Sequence, residues 1–147
     1  LDSNARKNRG GQYMENLVED ILKNVYSLKE GKDYLTQARA VKVKAKWDID
    51  LPVDKSSRAP DFLIKGKQNL IWIETNFFSS GGSKLKATCG EYIVLDKYCK
   101  QNNLKFLWVT DGYGWVSTLK PLSEAYEDID YLWNLKMFSD GRLKEII

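Results

Sequence analysis

The chain contains no histidine. That absence removes Ser-His-Asp and Cys-His nucleophilic catalysis, histidine-metal nucleases and most zinc sites. Cysteine is nearly as scarce: Cys89 and Cys99 are just two, without metal-ligand spacing, and read as free, buried thiols. No apolar run approaches the length of a membrane span, and the polar, basic N-terminus lacks the apolar stretch of a secretory signal. A cytoplasmic protein with no membrane partner is the expectation. A strong charge of either sign is missing too. Lys and Arg number 23 against 20 Asp and Glu, a net charge of +3, so affinity for nucleic acid has to come from where the positive residues cluster. An enzyme of this composition draws its chemistry from carboxylates, lysines and a metal ion.

What is present fits one domain over residues 1–147 with a proper core. The chain opens at Leu1 rather than methionine, and an N-terminal region ahead of it is expected. Residues 1–9, with Arg6, Lys7 and Arg9, read as a basic arm. From Gly10-Gly11 the apolar residues fall at 14, 17, 18, 21, 22 and 25, the series of an amphipathic helix, which is expected to end near Leu28. At about 100° per residue, Glu15 lies at the edge of the apolar stripe, Glu19 further out, and Asn16 and Asp20 on the wet side.

Val41-Lys42-Val43-Lys44-Ala45-Lys46-Trp47 alternates apolar and basic residues and predicts a strand with Lys42, Lys44 and Lys46 in a row on one face. Such a row serves either to discourage edge-to-edge aggregation or to touch phosphate. Residues 48–59 read as a loop into Pro60, which opens a strand.

The chain is organised around residues 58–90. Two apolar runs, Phe62–Ile64 and Leu70–Ile73, flank the turn formers Gly66-Lys67-Gln68-Asn69, a β-hairpin pattern. A turn centred between Lys67 and Gln68 pairs residues whose numbers sum to 135, which sets Asp61 opposite Glu74. Leu70, Trp72, Glu74 and Asn76 then share one face, and Ile71, Ile73 and Thr75 the other. Two carboxylates forced together are costly without a positive charge between them. A hard divalent cation such as Mg²⁺ is the usual solution.

Beyond the hairpin, Ser79-Ser80-Gly81-Gly82-Ser83 breaks into a helix predicted over 83–101, with Ser83 as N-cap. Leu85, Cys89, Tyr92, Ile93 and Leu95 or Tyr98 take the inward positions, and Gly90 weakens the helix. A Ser/Gly turn entering a helix, followed by Lys84 and Lys86, presents free amides suited to a DNA phosphate. Phe106–Thr110 is a continuous apolar run and predicts a central strand. Helical periodicity resumes over 121–138. The element order helix, strand, hairpin, helix, strand, helix gives the fold class α/β, a mixed central β-sheet flanked by helices.

The pattern of Pro60-Asp61, a spacer and Glu74-Thr75-Asn76 resembles the metal-dependent nucleases of the PD-(D/E)xK type. Longer stretches are more specific. Arg9-Gly10-Gly11-Gln12-Tyr13-Met14-Glu15-Asn16, Pro60-Asp61-Phe62, Ile73 through Lys84, and Trp108-Val109-Thr110-Asp111-Gly112-Tyr113-Gly114-Trp115 resemble the DpnII/MboI family of type II restriction endonucleases, in order and over most of the chain. Members of that family are longer, and this chain resembles their C-terminal, catalytic portion. The resemblance implies Mg²⁺-dependent cleavage of double-stranded DNA at unmethylated GATC, before the G, with a methyltransferase protecting the same site. A palindromic site implies a homodimer.

Carried over by position, Asp61 and Glu74 match the metal-binding acids, the carbonyl of Thr75 completes the shell, and Glu15 matches an accessory acid. Asn76 stands where lysine is expected, and an amide supplies neither positive charge nor a base. It can orient the attacking water, and Lys84 is the candidate for the missing charge. Arg9, Lys42, Lys44, Lys46, Ser79, Ser80, Ser83, Lys84 and Lys86 are the expected DNA-backbone contacts. Gln12, Asn102 and Asn103 have the chemistry to read bases. Two other classes stay open: a non-cleaving DNA-binding or interaction module of nuclease fold, and a structure-selective nuclease such as a junction resolvase.

Overall fold

A run of Val, Ile, Leu and Trp long enough to be buried on both faces builds the middle of a five-stranded sheet. The computed structural model describes residues 3–147, with side chains from Gly10 onward. The strands are β1 (Tyr34–Thr36), β2 (Phe62–Lys65), β3 (Leu70–Phe77), β4 (Lys105–Asp111) and β5 (Tyr131–Trp133), in that spatial order. β1, β2 and β3 are antiparallel neighbours, while β4 and β5 add parallel to β3. The mixed sheet flanked by helices is the predicted α/β class.

The hairpin forms in the predicted register: Phe62 faces Ile73, Leu63 faces Trp72, and Ile64 faces Ile71. Alternation along β3 then sorts the core into two layers. Ile71 and Ile73 meet Met14, Val18 and Leu22 of α1 (Ser3–Asn24), together with Phe138 and Leu143 near the C-terminus. Trp72 points to the opposite layer, where α3 (Ser83–Gln101) brings Leu85, Cys89, Tyr92, Leu95 and Cys99 against Phe106 and Trp108. Tyr26 ties the first layer together: its hydroxyl bonds the carbonyl of Phe138 and accepts the amides of Gly141 and Leu143 at 3.2 and 3.3 Å.

Several expectations are corrected. Residues 3–9 continue α1 rather than forming an arm; Leu1 and Asp2, and the side chains of residues 1–9 including Arg9, lie outside the described residues. The helix also stops at Asn24, short of Leu28. The alternating Val41–Trp47 stretch is not a strand but a helix, α2 (Ala40–Trp47). The same segment carries a second pattern, Ala40, Val43 and Trp47 at helical spacing. That stripe packs on the core while Val41 stays 83 % exposed. Eight residues are too few for periodicity to separate the two patterns, and tertiary contact decides. Lys42, Lys44 and Lys46 therefore form no row.

The predicted helix over 121–138 is interrupted. α4 (Leu119–Asp128) ends at an extended Ile129, β5 follows, and α5 is Leu135–Ser139. Glu127 and Asp128 oppose the negative end of the helix. The open edge of β4 meanwhile offers Tyr131–Trp133 backbone partners, pairing them with Leu107–Val109. β1, only three residues long, is too short for its alternation to show in the sequence. At α3 the N-cap is Gly82, at φ +134°, with Ser83 as the first helical residue and no side-chain cap bond.

Candidate active site

At the open end of the β2–β3 hairpin three acids meet. Asp61 immediately precedes β2, Glu74 lies on the Trp72 face of β3, and Glu15 stands on α1 at the border of its buried stripe. Asp61 Oδ2 accepts the backbone N–H of Thr75 at 2.9 Å and the Thr75 hydroxyl at 3.2 Å. These bonds pin the Asp61 carboxyl at the strand end, where its charge acts on both Glu15 and Glu74.

The electrostatic consequence is a crowd of like charges. Burial first, and the Asp61 charge second, push the Glu15 carboxyl up to about 7 despite the Gln37 amide that donates to its Oε1 at 2.8 Å. Glu74 is 7 % exposed, and burial followed by Asp61 raises it well above the usual carboxylate range. Its Oε1 accepts the indole N–H of Trp72 at 3.0 Å, a partial offset. Among the described residues no three acids close on one point as a ready-made cation cage. An all-oxygen donor set carrying mutual repulsion nonetheless suits a hard divalent cation that keeps waters in its shell.

Two hollows open beside this cluster. One, of about 170 Å³, is lined by Gln12, Glu15, Asn16, Thr36, Gln37 and Asp61. The other, of about 380 Å³, lies under α3 and is lined by Lys55, Ser57, Arg58, Glu74, Glu91 and Tyr92, the Lys55 residue being exposed.

Asn76 follows Glu74 on the same face. Its Oδ1 accepts the indole N–H of Trp108, and its Nδ2 stands 3.5 Å from the Tyr92 hydroxyl. Tyr92 is itself held edge-on to Trp108 at 4.9 Å between ring centroids. Burial and then the Glu74 charge raise the Tyr92 phenol far above its ordinary range, so it stays neutral. The amide is therefore fixed in orientation from two sides.

The remaining predicted residues divide clearly. Ser79, Ser80, Ser83, Lys84 and Lys86 are all exposed, beyond the C-terminal end of β3 and on the first turn of α3. The Lys84 ammonium does not join the hydrogen-bonded set around the acids. Lys42 is spent on the Thr36 carbonyl, and Lys44 bridges Asp48 and Asp50 at 3.0 and 3.3 Å; Lys46 is exposed. Gln12 lines the first hollow and donates to Asn16 at 3.0 Å. Asn102 caps the C-terminal end of α3, and the Asn103 carbonyl accepts Asn69 of the hairpin turn at 2.9 Å. That is the opposite end of the sheet from Glu74. Cys89 and Cys99 are free and buried as expected, their thiols pushed up by burial to about 11 and about 12.

Sequence reasoning missed Gln37, Tyr92 in its role beside Asn76, and Arg58. Only Arg58 carried a signal, standing three residues ahead of Asp61 in Arg-Ala-Pro-Asp. No helix among the described residues is long and apolar enough to cross a membrane.

Residues 1–145 match the family model described as DpnII restriction endonuclease. The type II restriction enzyme MjaIII of Methanocaldococcus jannaschii is 46 % identical over 151 residues, covering 100 % of this chain and 52 % of that protein. The type II restriction enzyme LlaDCHI of Lactococcus lactis subsp. cremoris is 44 % identical over 150 residues, 99 % of this chain and 49 % of that one. The type II restriction enzyme DpnII of Streptococcus pneumoniae is 32 % identical over 152 residues, 99 % and 52 %. The chain thus spans about half the length of the curated relatives it matches, and no solved structure matches it significantly. As the motifs implied, the chain belongs to the DpnII restriction endonuclease family.

Proposed function

We propose that residues 1–147 act as one nuclease domain, the catalytic portion of a type II restriction endonuclease that hydrolyses double-stranded DNA at unmethylated GATC with Mg²⁺. The observation that carries the reading is the Asp61 carboxyl fixed on Thr75 between Glu15 and Glu74, in a chain of this family. Asp61, Glu74 and the Thr75 carbonyl would hold the ion, with Glu15 as a further oxygen donor. When bound, the cation supplies Lewis acidity and offsets charge gathering on the phosphate.

The chain's own groups do the rest. Hydrolysis joins a water oxygen to phosphorus and breaks the bond to the leaving sugar oxygen, which ends as a hydroxyl. Asn76, locked by Trp108 and Tyr92, orients that water through its amide and takes up no proton. A raised Glu15 carboxyl can exchange a proton near neutrality. Ser79, Ser80, Ser83, Lys84 and Lys86, with the amides opening α3, would hold the DNA backbone. A palindromic site calls for a homodimer acting on cytoplasmic DNA, with a methyltransferase modifying the same sequence.

The fixed Asn76, which brings no charge to the lysine position, favours one rival: a non-cleaving DNA-binding module. Incubating plasmid with the chain and Mg²⁺ separates them. Discrete GATC fragments, lost in Asp61→Ala, support the proposal. Binding without cutting, unchanged in Asp61→Ala, supports the module. Cutting in EDTA would overturn both the metal and the site.

A further inference from the structure

Arg58 is the most firmly held cation near the acids, and the hydrolysis just described gives it no task. Its side chain is only 14 % exposed. Nε and Nη2 each donate to Asp54 at 3.2 Å, and Nη1 donates to Glu91 of α3 at 2.6 Å. A guanidinium carries five N–H bonds. Three are used here, which leaves two, one on each terminal nitrogen. Arg58 also lines the larger hollow together with Glu74 and Tyr92, the residue that steadies Asn76. Its charge reaches Glu74 and opposes the effect of burial there.

We infer that Arg58 grips a DNA phosphate in the hollow beside Glu74 and supplies the fixed positive charge that Asn76 does not. The inference rests on the proposed nuclease function and deepens it. A planar fork already clamped by Asp54 and Glu91 loses little freedom on engaging an anion, unlike an exposed lysine. The two unspent N–H bonds, one on each terminal nitrogen, are donors still available to a phosphate oxygen. Lys84 lies on an exposed helix turn outside the hydrogen-bonded set around the acids, whereas Arg58 shares a cavity wall with Glu74. A donor placed in advance at the site of developing charge is the arrangement that accelerates phosphoryl chemistry.

The test uses a short duplex with one GATC, its binding followed across salt concentrations in Ca²⁺ and its single-turnover cleavage in Mg²⁺. Arg58→Gln is expected to lower the log K against log salt slope by about 0.9, the value of one phosphate contact, and to slow cleavage about 100-fold. Arg58→Lys keeps the charge but not the planar fork, so the slope recovers while cleavage stays at least tenfold slow. Asp54→Asn loosens the clamp yet retains the wild-type slope. A wild-type slope in Arg58→Gln, wild-type cutting by Arg58→Lys, or Asp54→Asn matching Arg58→Gln in both readouts would overturn the inference. Should Arg58→Gln not fold, the lysine variant's rate decides alone. If the unmodified chain binds but never cuts, the nuclease reading fails while the slope still judges Arg58; if it does not bind DNA, both fall.

Discussion

The backbone amide of Thr75 donates to Asp61 Oδ2 across 2.9 Å, joining the entry to β2 with the C-terminal half of β3. Held by that bond, the Asp61 charge raises the carboxyls of both Glu15 and Glu74. Catalytic promise and structural cost are therefore the same feature: one buried and two half-buried acids whose charges act on one another.

Glu74→Gln should separate the two. The amide oxygen can still accept from Trp72, and the buried charge is gone. Thermal unfolding of the metal-free protein is expected to rise by roughly 2–4 °C, the shift about 1 kcal/mol gives at this size. Cleavage should fall by about 10³-fold or more. A lower Tm would show that Glu74 is stabilising in its own right.

Stability of the metal-free protein should depend on pH in a defined direction. Glu15 and Glu74 have folded values above their unfolded ones. The folded state then holds more protons between the unfolded carboxylate range and the raised values, and stability falls as pH rises through that window. For Glu15 the loss runs from about 4.5 to about 7. Denaturant titrations should show the decline, Glu15→Gln should flatten it, and millimolar Mg²⁺ should offset it at the alkaline end. Stability that climbs with pH across this window would contradict the acid cluster.

Asn76 should tolerate loss of charge balance better than loss of shape. Asn76→Ala leaves the Trp108 indole N–H without its acceptor, a cost of about 1–3 kcal/mol. Asn76→Asp keeps that acceptor but adds a carboxylate beside Glu74. We expect the alanine variant to lose Tm and the aspartate variant to fold yet cut roughly 10–100-fold more slowly. Calorimetry and single-turnover assays read the two effects separately.

Two glycines offer opposite outcomes. A Cβ on Gly112, at φ +118°, would meet the Phe78 carbonyl oxygen at 2.1 Å. Gly112→Ala should cost roughly 2–4 kcal/mol by forcing apart the loops that follow β3 and β4. Gly90 lies within α3, and a methyl group added there would meet nothing within 4 Å. Gly90→Ala should stabilise by about 0.8–1 kcal/mol. Chemical denaturation of the pair against wild type checks both signs.

Lysines should differ by context. Lys84→Ala combined with Lys86→Ala is expected to lower the DNA-binding salt slope by about 1.8, two phosphate contacts. Lys44→Ala should leave it unchanged, because Lys44 sits on α2, no residue of which lines either hollow beside the acids. A slope lowered by Lys44→Ala but not by the Lys84 and Lys86 double variant would move the DNA path onto α2.

Sequence alone determined the hairpin, its register and the meeting of Asp61 with Glu74. Strand alternation has a period of two, turn residues are local, and a one-residue slip would turn the Ile71 and Ile73 row to the wrong layer. It also placed Glu15 at the rim of α1's buried stripe. Local pattern could not choose between strand and helix for Ala40–Trp47, because the segment satisfies both and only the core against Val43 selects one. Nor could it foresee β5, whose residues carry a helical period but are captured by the free edge of β4. The surroundings of Asn76 and the clamp on Arg58 join side chains up to 33 residues apart. Such contacts exist only once the layers have closed, so the tertiary structure decided them.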